Sequence, residues 1–141
     1  MIDHLDENII EILKKDSRKP FVEIADELKV SEGTIRSRVR KLFDEGVIQS
    51  FTIKTSSKNV KAIIEVKIDV NVNTSEVANQ IAKFDGVSEV FEVTGEEDIV
   101  AIIDVTSSPQ LNDIIERIRH FDNVQSTRTR LILKEHFGVS E

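Results

Sequence analysis

The sequence predicts an α+β protein in two parts, three helices followed by a sheet with helices on one of its faces. Three observations predict it. Apolar residues recur at helical spacing from Leu5 to Leu42. Ile64, Val66, Ile68, Val70 and Val72 then alternate with Glu65, Lys67, Asp69 and Asn71, the period of a half-buried strand. Finally, Phe84-Asp85-Gly86-Val87 and Phe121-Asp122-Asn123-Val124 each close an amphipathic stretch and lead into a β-rich one, a faint internal repeat.

The elements follow in order. Leu5, Ile9, Ile12 and Leu13 define a first helix, with Asp3 near its start and its end near Asp16. Phe21, Ile24, Ala25 and Leu28 define a second; small Ala25 suits a close helix crossing. Lys29-Val30 makes the turn and Ser31 caps a third helix, whose inner face is Ile35, Val39 and Leu42. A turn of this kind often carries Gly after its first helix, so Lys29 is expected in a left-handed conformation that disfavours side chains by roughly 1–2 kcal/mol. After Gly46 the β-rich residues 47–54 are expected as a strand, serving as a wing or a dimer ribbon. Residues 1–54 thus form a helix-turn-helix, winged-helix-like domain and polar residues 55–60 a linker. Residues 61–136 read strand, helix, strand, strand, helix, strand, a ferredoxin-like βαββαβ unit, and residues 137–141 a tail. One of its helices rests on Val77, Ala78, Ile81 and Ala82, the other on Leu111, Ile114, Ile115 and Ile118. Ser108-Pro109 should supply N-cap and first turn of the latter, and Gly86 and Asn123 the left-handed residues after the two helices. Residues 98–105 are apolar on both faces, so the sheet side without helices is expected to be covered by a second copy.

Composition excludes several classes. The longest apolar run, residues 99–103, falls far short of the ~20 residues of a membrane helix. The first residues carry acids where a secretory leader carries bases, so a cytoplasmic protein without membrane association is expected. Cysteine is absent, which removes disulfides, thiolates and cysteine zinc sites. The net charge of −7 is unevenly placed: 11 Lys+Arg balance 11 Asp+Glu through Val60, and 8 against 15 from Lys61 onward supply the whole excess. Residues 29–41 hold five cations and one anion, Glu32. A basic helix in a neutral domain suits a few placed contacts to a polyanion, not indiscriminate coating.

The third helix carries the chemistry. At about 100° per residue, Thr34, Ser37, Arg40 and Lys41 point away from its apolar face, with Arg36 and Arg38 on the flanks. Hydroxyls and guanidinium forks on an exposed helix face can read base edges in the major groove of double-stranded DNA. Arg36, Ser37 and Arg40 are the expected base contacts; Thr34, Arg38 and Lys41 are assigned to phosphates, with Ser31 at the helix start. The plainer alternative is a solvated basic face. Trp and Tyr are absent, against stacking on single strands. His4, His120 and His136 have no ligand spacing, and no phosphate loop or nucleophile arrangement is visible, so no metal, cofactor or catalytic residue is expected. Thr94-Gly95-Glu96-Glu97-Asp98 reads either as a solvated turn or as a small-molecule loop. In the second reading Gly95 lets backbone N–H groups approach a carboxylate and Asp98 accepts from an α-ammonium group.

Taken together, the IADELKVSEGTIRSRVRKLFDEGVI core, the Asp-rich start and the GEED loop resemble the Lrp/AsnC (feast/famine) family of transcriptional regulators, nearly end to end. The resemblance implies a C-terminal domain of the type called RAM, and dimers that associate further, often into octamers, on a pseudo-palindromic operator. It also implies DNA contact through the second helix of the motif, and an amino-acid effector bound between dimers near a Gly-x-x-Asp loop, matched here by Gly95 and Asp98. Family members often carry an aromatic residue where this chain has Glu97, which would suit a ligand with a cationic side chain. Two other readings stay open: a sirohaem-decarboxylase-like enzyme of the same superfamily, for which Arg119-His120 is the only adjacent pair of the needed kind, and an architectural protein that packages DNA.

Overall fold

The computed structural model describes residues 1–56 and 58–138. The chain divides into two compact units, Met1–Thr55 and Ser56–Phe137. Of the expected linker, Ser57 lies outside the described residues, as do residues 139–141 of the expected tail.

The first unit holds α1 (His4–Lys15), α2 (Phe21–Leu28) and α3 (Glu32–Asp44). Asp3 caps α1 reciprocally: its carboxylate accepts from the Asp6 N–H at 2.9 Å, and the Asp6 carboxylate accepts from the Asp3 N–H at 3.1 Å. Pro20 opens α2 with its fixed φ. Lys29 ends it at φ 58°, ψ 44°, the left-handed conformation expected of the turn. Ser31 Oγ accepts from the Thr34 N–H at 3.1 Å and caps α3. Ile9, Leu13, Ile24, Ala25, Ile35 and Val39 interlock as one core. Gly46, at φ 73°, turns the chain off α3, and the Val47 and Ile48 N–H groups both return to the Leu42 carbonyl.

The expected strand at residues 47–54 does not form. Phe51 packs edge-on to Phe43, with ring centroids 5.2 Å apart, but among the described residues no neighbouring strand takes the backbone hydrogen bonds. β-branched residues favour an extended chain, yet a strand exists only where another strand pairs with it.

The second unit is ferredoxin-like: β1 (Val60–Ile68), α4 (Thr74–Ala82), β2 (Val87–Glu92), β3 (Ile99–Val105), α5 (Ser108–Arg119) and β4 (Val124–Leu131). The sheet order is β2-β3-β1-β4 and all pairs are antiparallel. Ala62, Ile64, Val66 and Ile68 of β1 and Ile99, Ala101, Ile103 and Val105 of β3 face the helices. There they meet Val77, Ala78 and Ile81 of α4 and Leu111, Ile114 and Ile118 of α5.

Four local expectations are corrected. The alternation through Val72 outruns the strand, which ends at Ile68; Val70 is 94% exposed in the turn that follows. Ser107, not Ser108, caps α5, accepting from the Gln110 N–H at 3.4 Å. Asn123 is not left-handed, because α5 ends on His120 in a right-handed conformation, whereas Gly86 does adopt φ 93°. Gly86 also has no room for a side chain: a Cβ would lie 2.5 Å from Val105 Cγ1 and 3.1 Å from Ile114 Cδ1. Ala82, expected on the inner face of its helix, is exposed.

Candidate nucleic-acid interface and effector loop

With Ile35, Val39 and Leu42 locked into the core, the opposite crest of α3 is open. Ser37 and Arg40 are exposed there, and neither side chain makes a hydrogen bond or ion pair among the described residues. Arg36 stands on the flank toward α2: it pairs with Glu32 one turn back, and its guanidinium lies 5.7 Å from the Phe21 ring centre. Ser31 Oγ and Thr34 Oγ1 are 2.8 Å apart and share a hydrogen bond at the start of the helix.

Arg38 and Lys41 occupy the other flank and are turned inward. Arg38 pairs with Asp3 and, at 3.2 Å, with Asp6. Lys41 Nζ lies 3.4 Å from the second Asp6 oxygen and donates to the Met1 carbonyl at 3.1 Å. Asp6 itself has no exposed surface. The Arg38 hydrogen bond, then the Asp6 N–H, hold the Asp3 carboxyl at about 2, below its ordinary 3.8. For Asp6, burial pushes upward, but hydrogen bonds from the Asp3 N–H and Arg38 win and the net shift is downward. Sequence reasoning missed Asp6, which looks like an ordinary first-turn acid; its one signal was the Asp-x-x-Asp spacing of a reciprocal cap.

In the second unit, residues 94–98 join β2 to β3. Gly95 adopts φ 118° with open space on its side-chain side. Asp98 latches the loop onto β1: its Oδ2 accepts from the Ile68 N–H at 2.9 Å, and its own N–H donates to the Val66 carbonyl at 2.9 Å. This latch sits where the pairing of β1 with β4 shifts register, between Lys67 and Ile68. Lys67 Nζ donates to the Glu96 carbonyl at 2.7 Å. Glu97 Oε2 is buried without a hydrogen-bond partner among the described residues. Gly95, Glu97 and Asp98 therefore come together in one loop, while Ser31, Thr34, Arg36, Ser37, Arg38, Arg40 and Lys41 all lie on or next to α3.

The histidines stay apart in role. His4 lies 3.7 Å from Glu7, and His120 Nδ1 lies 2.6 Å from the Glu116 carbonyl one turn back. Among the described residues no group of three or more His, Asp or Glu side chains could hold a metal ion. No helix among them is long and apolar enough to cross a membrane.

A capped, polar-crested helix-turn-helix followed by a βαββαβ sheet defines a DNA-binding transcriptional regulator. Residues 2–42 match the AsnC-type helix-turn-helix domain and residues 61–138 the Lrp/AsnC ligand binding domain. The chain is 42% identical over 137 residues to the HTH-type transcriptional regulator LysM of Saccharolobus solfataricus, covering 96% of both. It is 34% identical over 145 residues to the HTH-type transcriptional regulator FL11 of Pyrococcus furiosus, covering 100% of this chain and 95% of that one. Among solved structures, a feast or famine regulatory protein from Mycobacterium tuberculosis complexed with L-methionine matches with TM-score 0.82 and 25% identity, over 100% and 98% of the two chains. The chain belongs to the Lrp/AsnC family of transcriptional regulators.

Proposed function

We propose that the chain is a sequence-specific regulator that binds a pseudo-palindromic double-stranded operator as a homodimer or higher even oligomer, such as an octamer, and responds to an amino acid. The observation that carries this reading is the crest of α3, where Ser37 and Arg40 are free while the opposite face is fixed in the core. Arg36, Ser37 and Arg40 read base edges; Ser31 and Thr34, at the positive end of the helix, meet phosphate. Residues 1–54 are the DNA-binding domain and residues 61–136 the dimerisation and effector domain. The protein acts in the cytoplasm and has no enzymatic role.

The outer sheet face supports the dimer. Ile63, Val100 and Ile102 lie there, partly buried, beside exposed Phe91. Arg128 of β4 flanks one side, next to an Arg130 already paired with Glu65 of the same chain, and Glu89 of β2 flanks the other, so a face-to-face two-fold can set Arg128 against Glu89.

Loop residues 94–98 supply the effector site. Gly95 admits the carboxylate, the free Asp98 oxygen accepts from the α-ammonium, and Glu97 Oε2 accepts from a basic side chain. Calorimetric titration should then show lysine or arginine binding at least tenfold tighter than methionine, with the difference lost in Glu97→Gln. Equal affinities would remove Glu97 from the site.

The DNA reading is tested by selecting a duplex from a random pool and comparing it with a scrambled duplex by fluorescence anisotropy across a salt series. A preference of about 10³-fold or more, with affinity falling steeply in salt, is expected of a specific regulator. Equal weak binding would favour the packaging reading, and no binding at low salt would overturn the DNA assignment.

A further inference from the structure

Asp6 is a charged side chain with no exposed surface, and its environment is unusually complete. Its carboxylate takes the Asp3 N–H at 3.1 Å, Arg38 Nη1 at 3.2 Å and Lys41 Nζ at 3.4 Å. A buried carboxylate must be paired, and here both partners come from α3. Arg38 and Lys41 are three residues apart, so one acid on α1 grips α3 at two points along the same flank. The apolar stripe of Ile35, Val39 and Leu42 fixes how closely α3 packs. A two-point polar grip beside that stripe fixes its rotation about its own axis as well, and the rotation decides where Ser37 and Arg40 point.

The same grip removes cations. Of the four on α3, Arg36 is paired with Glu32, Arg38 and Lys41 are drawn to Asp6, and only Arg40 stands without an ion pair among the described residues. Sequence-independent binding to DNA scales with the number of phosphates neutralised. We infer that Asp6 is a positioning residue for DNA recognition: it sets the rotation of α3 and withholds Arg38 and Lys41 from the phosphates, so that binding depends on the base-reading crest. This inference rests on the DNA-binding reading above and changes the roles that the sequence suggested for Arg38 and Lys41.

The test is the salt dependence of Asp6→Asn and Asp3→Asn on the selected and scrambled duplexes, beside the wild type, with thermal melts of each. Asp6→Asn keeps the shape and an acceptor but drops the charge. It should steepen the salt slope on the scrambled duplex by about 0.9 for each cation released, so by up to about 2, and cut the preference for the selected duplex at least tenfold. Asp3→Asn keeps a competent N-cap, so it remains informative if Asp6→Asn does not fold. It loosens Arg38 alone and should shift both quantities the same way by less. A purely structural loss would lower the melting temperature and weaken both duplexes at unchanged slope, which overturns the inference. So does a slope that becomes shallower. Wild-type protein that binds neither duplex overturns the DNA reading together with this one, whereas wild-type binding with unchanged slopes in folded variants overturns this one alone.

Discussion

Arg40 is where a single side chain should matter most to sequence choice, because nothing among the described residues competes for its guanidinium. Arg40→Ala is expected to weaken the selected duplex by about 1–3 kcal/mol and relax the preference at one base position, with a much smaller effect on scrambled DNA. Binding titrations on single-base variants of the operator check this; equal losses on all sequences would make Arg40 a phosphate contact. The acids behind the helix have a different signature. Asp3 is held at about 2 in the folded chain against 3.8 ordinarily, and Asp6 is lowered too. A depressed carboxyl contributes stability that is complete above its unfolded value and is lost as pH falls through the folded one. Thermal melts of the wild type should therefore fall between about pH 4 and pH 2, and Asp3→Asn should show a shallower fall over that window. These two kinds of residue differed in legibility. The crest of α3 was readable for Ser37 and Arg40, because helical period assigns faces, but not for Lys41, which the same period set outward and the structure turns toward Asp6. The Asp6 grip was not, because its partners lie 32 and 35 positions away and a first-turn acid normally faces water.

Elements were legible where their own residues decide them and illegible where a neighbour does. The five helices among the described residues follow from apolar spacing, and Lys29 took the left-handed conformation that the turn demands. Since a Cβ disfavours that conformation, Lys29→Gly should raise the melting temperature, by an amount equivalent to roughly 0.5–1 kcal/mol after the added chain entropy of glycine. An unchanged or lower melting temperature would mean that the Lys29 side chain contributes more than its backbone strain removes. Residues 47–54 show the opposite case, with strand-forming residues and no strand beside them. The run past Ile68 is similar: Val70 and Val72 keep the alternating pattern after the hydrogen-bonded neighbours have ended. Asp98 was singled out as a ligand group, and the structure shows it in a task that no local pattern announces, closing the loop onto β1 through the Ile68 N–H.

At the scale of the whole molecule, the sheet has one face under α4 and α5 and one face without helices. Burying the second face between two copies would bring two DNA-binding units into one particle, and paired helices read half-sites about one helical turn apart or a multiple of it. Ile102, near the middle of that face, is the place to test this. Ile102→Asp should shift sedimentation equilibrium from an even oligomer toward monomer and lower operator affinity, while leaving the helical spectrum intact. An unshifted oligomer would assign the dimer to another surface. The strand order β2-β3-β1-β4 has a further effect that concerns the rims of the sheet. Strands at a rim present unpaired backbone groups that invite identical strands to add on. Here one rim carries Glu89 on the open face and the other Arg128 and Arg130. Like rims repel and unlike rims attract, so charge opposes the pairing of two β2 rims or of two β4 rims and leaves only head-to-tail addition of β2 to β4, a bias that should fade as added salt screens the charges.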